Sequence, residues 1–502
     1  MDKWQRLSPY AAIHYVVKIF MAVIKNAYQG LIPLAAAFFA AGENRWFIIG
    51  LVVAGALALL LIVAVLSYLK FQYRIADGTV FIQSGVLKRK RLTLGFDRIQ
   101  NVGVKEPIYF RPFGLVVVTI ESAGSSGEEI SLGGVPRSLA ESIRAEVLNH
   151  KPQKTSQISE TIVTTDVVTT EVEEIIHQPI SELVRYGLTN KNVLVFFGIM
   201  AGFWGQTDWD EMDYYNEGSE MVTGLVGTDP TSIAIWTSLA VIGVLLVLVM
   251  LSVALTVITN YNYRLTRHDG RFHRTKGLFE RQETSLLESK VQSIQISQGI
   301  TARLLNRMTI HLKQVGFGGN AKQKRASKKG AFFIPSVEEG FSKSFSKIIY
   351  PNFNWEMLTL KSIDFGYVRK RILYIYLPIT LIPMSIITLG QQNPWGLLSL
   401  FVPVIATPLV MLRRARYGYA SDGEHGVVRS GFLGKRHVLF PFYKVQTVEL
   451  HQSPGQRRRK LADLHVKLAG NTVKIPYVPL EDAVDWRKTI LEKIESTNKA
   501  WM

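Results

Sequence analysis

The chain has 502 residues, 58 Lys and Arg against 40 Asp and Glu, a formal charge of +18 and no cysteine. Disulfides, thiolate catalysis and Cys-based metal sites are therefore excluded. The length predicts about three or four domains. The excess of Lys and Arg is read as the cationic cytoplasmic face of a membrane protein, because no nucleic-acid-binding motif accompanies it.

Residues 1–70 open with a basic lead-in carrying Lys3, Arg6, Lys18 and Lys25. It does not read as a cleavable signal, since the apolar stretch begins late and no small-residue cleavage site precedes a soluble domain. Two apolar segments follow, 26–42 and 46–68, joined by Gly42-Glu43-Asn44-Arg45; the second has 23 residues without a charge. A bilayer core needs roughly 20, and the short turn puts both helix ends on one face. Residues 71–150 then show strand alternation at 79–84 and 91–96 around Asp77-Gly78, a hairpin signal. Further strands are predicted at 116–122 and 128–133, and a closing helix at 138–150, where Leu139, Ile143 and Val147 have helical spacing.

Residues 151–180 are rich in Thr, Val and Glu without a sustained period, and 151–178 reads as a mobile linker. Residues 181–262 hold a second apolar pair, 192–207 and 231–259, the latter with 29 uncharged residues. The loop between them, 205–232, carries Asp208, Asp210, Glu211, Asp213, Glu217, Glu220 and Asp229 and no Lys or Arg. The positive-inside rule places it outside the cytoplasm. A solvated face is preferred there over a cation site, because ligand-loop spacing is missing.

Residues 263–350 repeat the strand pattern, with a basic insertion at 316–330. Its glycines make no phosphate loop, since no helix opens after them. A strand at 332–337 and a short helix near 338–349 are predicted to close this part. Residues 351–416 hold a third pair, 372–390 and 394–412, flanked by Arg369, Lys370, Arg371 and Arg413, Arg414, Arg416. Pro378, Pro383, Pro403 and Pro408 inside it are read as kinks. A substrate path through broken helices is the sharper alternative, but the intramembrane acidic residues that mark many transporters are missing. Residues 417–502 are predicted to form strands at 425–431, 436–441, 447–453, 463–468 and 472–478, then a helix at 478–494.

The three strand-rich parts are copies of one module. Gly85, Gln100 and Arg111 recur as Gly277, Gln292 and Arg303, and again as Gly431, Gln446 and Arg457. The glycine-to-glutamine offset is 15 and the glutamine-to-arginine offset is 11 in every copy. Such repetition governs the fold reading before anything else. The expected fold class is membrane α + β: three transmembrane helix pairs, each followed by an antiparallel β domain with a C-terminal helix.

With its apolar pairs Val86-Leu87, Leu278-Phe279 and Phe432-Leu433 and its [IV]-Q-x-[VI] element, this layout resembles the bacterial pleckstrin-homology-like (PH-like) membrane proteins, and within them the long YdbT-like members with three such domains. The resemblance covers nearly the whole chain. It implies a bent sheet capped by a helix in each module, an inner-membrane location, often a smaller sister protein with one such domain, and a link to envelope stress and antimicrobial resistance. The second copy departs from the pattern, with Arg267-His268 before its Asp-Gly and the basic insertion.

No nucleophile elbow, Walker loop or zincin motif occurs, and no catalytic residue, cofactor or metal is assigned. His268 and His273 read as surface residues. The repeated glutamine is read as holding a strand or turn in a small barrel, with ligand binding as the alternative; for the repeated arginine, lipid phosphate and an internal acid stand equal. Three basic clusters are candidate contacts for anionic lipid of the cytoplasmic leaflet: Lys88, Arg89, Lys90 and Arg91; Lys322, Lys324, Arg325, Lys328 and Lys329; and Arg457, Arg458, Arg459 and Lys460. A merely solvated face is the bland alternative. The expected function is non-enzymatic assembly at the inner membrane, holding a smaller PH-like partner, a second copy or lipid. Export of a lipid or amphipathic compound is the rival.

Overall fold

The computed structural model describes residues 4–21, 45–76, 78–86, 89–96, 99–122, 130–149, 173–189, 229–314, 332–390 and 394–497. The expected spans 26–42 and 192–207, nearly all of the acidic loop and the basic insertion lie outside the described residues. Two compact units are present: Met1–Ile176 with Arg264–Leu286, and His177–Tyr263 with Leu287–Met502.

In the first unit, β1 (Gln5–Arg6) pairs with β2 (Gln72–Ala76), and β3 (Thr79–Ser84) and β4 (Lys90–Gly95) complete a four-stranded sheet in the order β1-β2-β3-β4. Helix α1 (Ala11–Met21) follows β1, and α2 (Arg45–Leu69) leads into β2. Strands β5 (Ile99–Pro107), β6 (Leu115–Ser122) and β7 (Ile130–Pro136) form a meander, closed by α3 (Arg137–Asn149). Val80, Ile82 and Leu94 pack with Val102, Val104, Val118 and Ile120 and with Ala140 and Ile143 of α3 in one core. Alternate residues of each strand supply this core, as a pleat requires.

That meander belongs to a larger sheet. Its order is β7-β6-β5-β11-β10-β9-β8, where β8 is Glu173–His177, β9 Arg264–His268, β10 Arg271–Lys276 and β11 Glu280–Leu287. The second half of the first module thus continues into the first half of the second. Strand β8 corrects the linker expectation for residues 173–177. The sequence shows no period there, but β9 offers an edge that β8 pairs, and Arg267 meets Glu173 at 3.6 Å.

The second unit repeats the construction. Strands β12 (Val291–Gln298), β13 (Met308–Gln314) and β14 (Phe332–Val337), followed by the helix Glu339–Ile349, share a sheet with β15 (Lys361–Ser362), β16 (Gly418–Ser421), β17 (His425–Ser430) and β18 (Lys435–Pro441). The order is β14-β13-β12-β18-β17-β16-β15. The last sheet, β19 (Val445–His451), β20 (Leu461–Leu468) and β21 (Asn471–Pro479), has three strands. Val428, Val438 and Phe440 pack with Leu464, Val466, Ile475 and the closing helix Leu480–Ser496 through Ala483, Trp486 and Ile490.

The apolar helices carry outward side chains that water would not tolerate. In α2, Leu51, Leu57, Leu59, Leu61 and Ile62 are exposed. Among the described residues, three helical stretches are long and apolar enough to cross a membrane, Ser238–Asn260, Gly366–Ile387 and Gly396–Ala415, and the apolar part of α2, Ala54–Leu69, is shorter. The first of the three lies in helix α5 (Pro230–Asn260), which Asp229 caps by accepting from Ser232 N. Ahead of it runs α4 (Ile180–Thr189), whose Gly187 lies so close to α5 that a Cβ there would sit 2.9 Å from Val253 Cα. In the third region, wide, π-type turns at Ile372–Tyr376 and Ser385–Gly390 flank the helix Leu377–Met384, which carries Pro378 and Pro383, while Pro403 and Pro408 lie within the helix Phe401–Ala415. A wide turn ahead of Pro378 relieves the clash of its ring with the preceding turn.

The N-terminal segment is held by two glycines. A Cβ on Gly134 would lie 2.6 Å from Ala11 Cβ, and Gly134 has φ +81°; its neighbour Gly133 lies under His14. Gly134→Ala should therefore destabilise the first unit by about 1–3 kcal/mol through strain and overpacking. Gly243→Ala, with nothing within 4 Å of the added Cβ, should be near neutral. Thermal unfolding in detergent compares them. Equal midpoints for the two variants would show that α1 does not pack on β7.

Candidate functional site

Some of the repeated residues lie where one module meets the next: Gln100, Arg111 and Gly277 flank the first junction, and Gln292 and Gly431 flank the second. The repeated glycine ends the second strand of each module with positive φ: Gly85 at 110°, Gly277 at 107° and Gly431 at 151°. Those values explain why glycine stands there. At Gly431 a Cβ would also lie 2.0 Å from Gly434 O.

The repeated glutamine marks a bulge. Strand register breaks between Ile99 and Asn101, between Val291 and Ser293, and between Val445 and Thr447. The residue passed over is Gln100, Gln292 or Gln446. A bulge twists its strand and re-aims side chains, here at the start of the strand that meets the next module. Gln292 is fully buried, whereas Gln446 is exposed. The difference follows from their neighbours: β12 has β18 beside it, and β19 stands at a sheet edge.

Both junctions use one register. Val104, four residues after Gln100, faces Glu283, six after Gly277. Ile296, four after Gln292, faces His437, six after Gly431. The junction joins two cores through opposite faces of the sheet. Ile294 pairs with Leu439 on one face, while Val438 and Phe440 turn to the core of the third module on the other.

Side chains clamp the ladder. In the first copy the repeated arginine reaches a backbone carbonyl: Arg111 Nη2 donates to Leu278 O at 2.5 Å. Beside it, Ile108 N donates to Phe279 O at 2.7 Å, so the apolar repeat pair of module two docks through its backbone. Arg303 and Arg457 are exposed. Arg137 reaches Glu283 at 3.1 Å and Glu141 at 3.0 Å. In the second junction Arg436 donates to Gln295 Oε1 at 2.6 Å. Lys444 is buried and donates to Ser289 O and Val291 O, each at 2.6 Å. Burial pushes its ammonium down to about 8. Sequence reading missed Lys444 because nothing local distinguishes it from a surface lysine.

Helix α4 is tied to module two by a second group the sequence did not reveal. Glu182 accepts from Arg307 Nε at 2.9 Å and from Ser336 Oγ at 2.6 Å. Gln178 Nε2 donates to Pro335 O at 2.7 Å. Burial alone would raise the Glu182 carboxyl, but the Arg307 and Ser336 hydrogen bonds and the charges of Arg307 and Arg185 outweigh it and hold the group at about 2. Partners more than 120 residues apart leave no local signal.

Of the basic clusters, Arg89, Lys90 and Arg91 are exposed at the start of β4, and Arg457, Arg458, Arg459 and Lys460 are exposed at the turn before β20. Lys88 and the five residues from Lys322 to Lys329 lie outside the described residues. His268 is half-exposed beside Asp269. His273 is more enclosed than a surface reading implies: Arg144 Nη2 and Ser285 Oγ each lie 2.9 Å from its Nδ1. Burial, then Arg144 and Arg271, lower its pKa. Among the described residues, the ligand atoms of Glu449, His451 and His465 lie within 4.8 Å of one another. Glu449 pairs directly with His465 across the strands, but its carboxylate already binds Lys467 and His451, so the group reads as a satisfied ion pair.

Two comparisons bear on this architecture. The family described as bacterial PH domain matches the chain three times, over residues 29–151, 222–334 and 372–494. The chain is also 22% identical over 472 residues, 92% of each sequence, to the UPF0699 transmembrane protein YdbT of Bacillus subtilis (strain 168).

The Glu182 cluster makes a pH-dependent prediction. The folded-state pKa of Glu182 lies below its ordinary 4.5. Its contribution is therefore complete above about pH 4.5 and is lost as pH falls towards 2. Glu182→Gln should cost about 1.5–3 kcal/mol at neutral pH and flatten the loss of stability between pH 5 and pH 3. Thermal midpoints of both proteins across that range test it; parallel slopes would remove Glu182 from the account.

Proposed function

The chain belongs to the bacterial PH domain family, and on that premise we propose that it is a non-catalytic scaffold that organises proteins at the membrane face. It is a transmembrane protein with repeated PH domains. In the proposed arrangement three helix pairs cross the inner membrane, each precedes one module, and the modules stand in the cytoplasm. The observation that carries the reading is the use of sheet edges for protein contact. Strands β5 and β12 each accept a strand of another module in the same register. Strand addition supplies affinity through main-chain hydrogen bonds and needs no ligand pocket.

The basic patches Arg89–Arg91 and Arg457–Lys460 orient the modules on anionic lipid in this reading, at roughly 1 kcal/mol per residue near the surface. They do not carry the protein contact. The exporter alternative rests on the prolines of the third helix pair, and the wide turn ahead of Pro378 gives that proline a structural role.

Two tests follow. The chain has no cysteine, so single cysteines report topology cleanly. Asp213→Cys should react with an impermeant thiol reagent from outside intact cells, and Ser453→Cys should not; outside labelling at residue 453 would overturn the orientation. Partners should co-purify in mild detergent at both low and high salt, and with Arg457, Arg458, Arg459 and Lys460 changed to Gln. Loss in both conditions would mean that electrostatics, screened over about 8 Å at physiological ionic strength, carries the contact.

A further inference from the structure

Two strands of this chain belong to the classes that meet at the interior junctions but have no strand on their outer side among the described residues. Strand β4 is the third strand of its module, as β11 and β18 are of theirs. Strand β19 follows its bulge glutamine, as β5 and β12 do. Yet β4 ends the sheet β1-β2-β3-β4 and β19 ends the sheet β19-β20-β21. Their side chains show the difference. Thr93 of β4 is exposed, whereas Leu439, at the same position of β18, is fully buried. Val448 and Leu450 of β19 are half-buried, whereas Ile294 and Ile296 of β12 are buried.

We infer that these two edges are complementary halves of one contact: β19 of one copy adds to β4 of a second copy of this chain, so that copies join head to tail. This deepens the scaffold reading and rests on it. The chemistry is that of the interior junctions, which the fold forms twice from the same two strand classes. Carrying over their register sets Val448 opposite Thr93, Glu449 opposite Leu92 and Leu450 opposite Arg91. The contact would cover Gln446 as β18 covers Gln292, and would close two edges that otherwise present unpaired backbone groups. A second copy is the occupant that offers both strand classes at once, each on a module tethered to the same membrane.

The test uses the full chain in native membranes. Two differently tagged copies are co-expressed, one with Thr93→Cys and one with Val448→Cys, and oxidised mildly. A mixed-tag disulfide dimer is expected, at least about tenfold stronger than with Lys90→Cys in place of Thr93→Cys. That control shifts the register by three residues, roughly 10 Å, beyond disulfide reach. Equal or absent cross-linking in both pairs overturns the inference. Val448→Cys captured instead by a PH-like module of a different protein would also overturn it, while leaving the scaffold reading intact. A chain that runs as a single copy and brings down no protein at any salt would remove both.

Discussion

Antiparallel pairing between β5 and β11, and again between β12 and β18, is the interaction on which the rest depends. Each module half is a meander of about three strands, and an edge left open in such a sheet exposes a row of main-chain donors and acceptors. Sharing a sheet satisfies that row and adds apolar area on two faces, since Ile294 and Leu439 turn one way and Val438 the other. The repeated residues serve this contact. The glycine turns the chain into the joining strand, the glutamine bulge starts its partner, and in the first copy Arg111 holds the turn by a carbonyl. Module identity in sequence and sheet identity in space are therefore offset by half a module.

The membrane segments fit this scheme as tethers. Helix α5 exposes Ile235, Leu239, Ile242, Leu246 and Met250 along its length, as lipid contact requires. At its far end Ser252, Thr256 and Asn260 are buried, with Thr256 donating to Ser252 O and Asn260 to Thr256 O. That end meets α4, which the Glu182 cluster fixes to β13 and β14. A tethered domain has a high effective concentration for its neighbours, so modest contacts add up. The chemistry of the described surface fits such a role: its basic clusters at 89–91 and 457–460 lie at a strand start and a turn, and the buried Lys444 donates to backbone carbonyls.

Local features of the fold were legible in the sequence. Asp-Gly turns and alternation set the strands at 79–84 and 425–430, and helical spacing set the helix at 137–149. Strand β5 was not read, because the bulge at Gln100 breaks the period of two that reveals a strand. Strand β8 was taken for linker because Glu173–His177 is a strand only beside β9. The repeat itself pointed to the candidate site, since Gly85, Gln100 and Arg111 have counterparts at fixed offsets. What those residues contact was not legible. Arg111 meets a carbonyl 167 residues away and Lys444 two carbonyls more than 150 residues away, and backbone acceptors have no sequence signature.

The sharing of sheets between modules is tested most directly by an intrachain disulfide across the second junction. Gln295 and Val438 are paired residues of β12 and β18, and paired residues in an antiparallel ladder have Cα atoms about 4.5–5.5 Å apart, within disulfide range. The double variant Gln295→Cys, Val438→Cys should form an intrachain bridge on mild oxidation, as readily as Val427→Cys, Leu439→Cys inside the third module. Bridge formation in the second pair, with both thiols of the first still free to alkylation, would contradict the account.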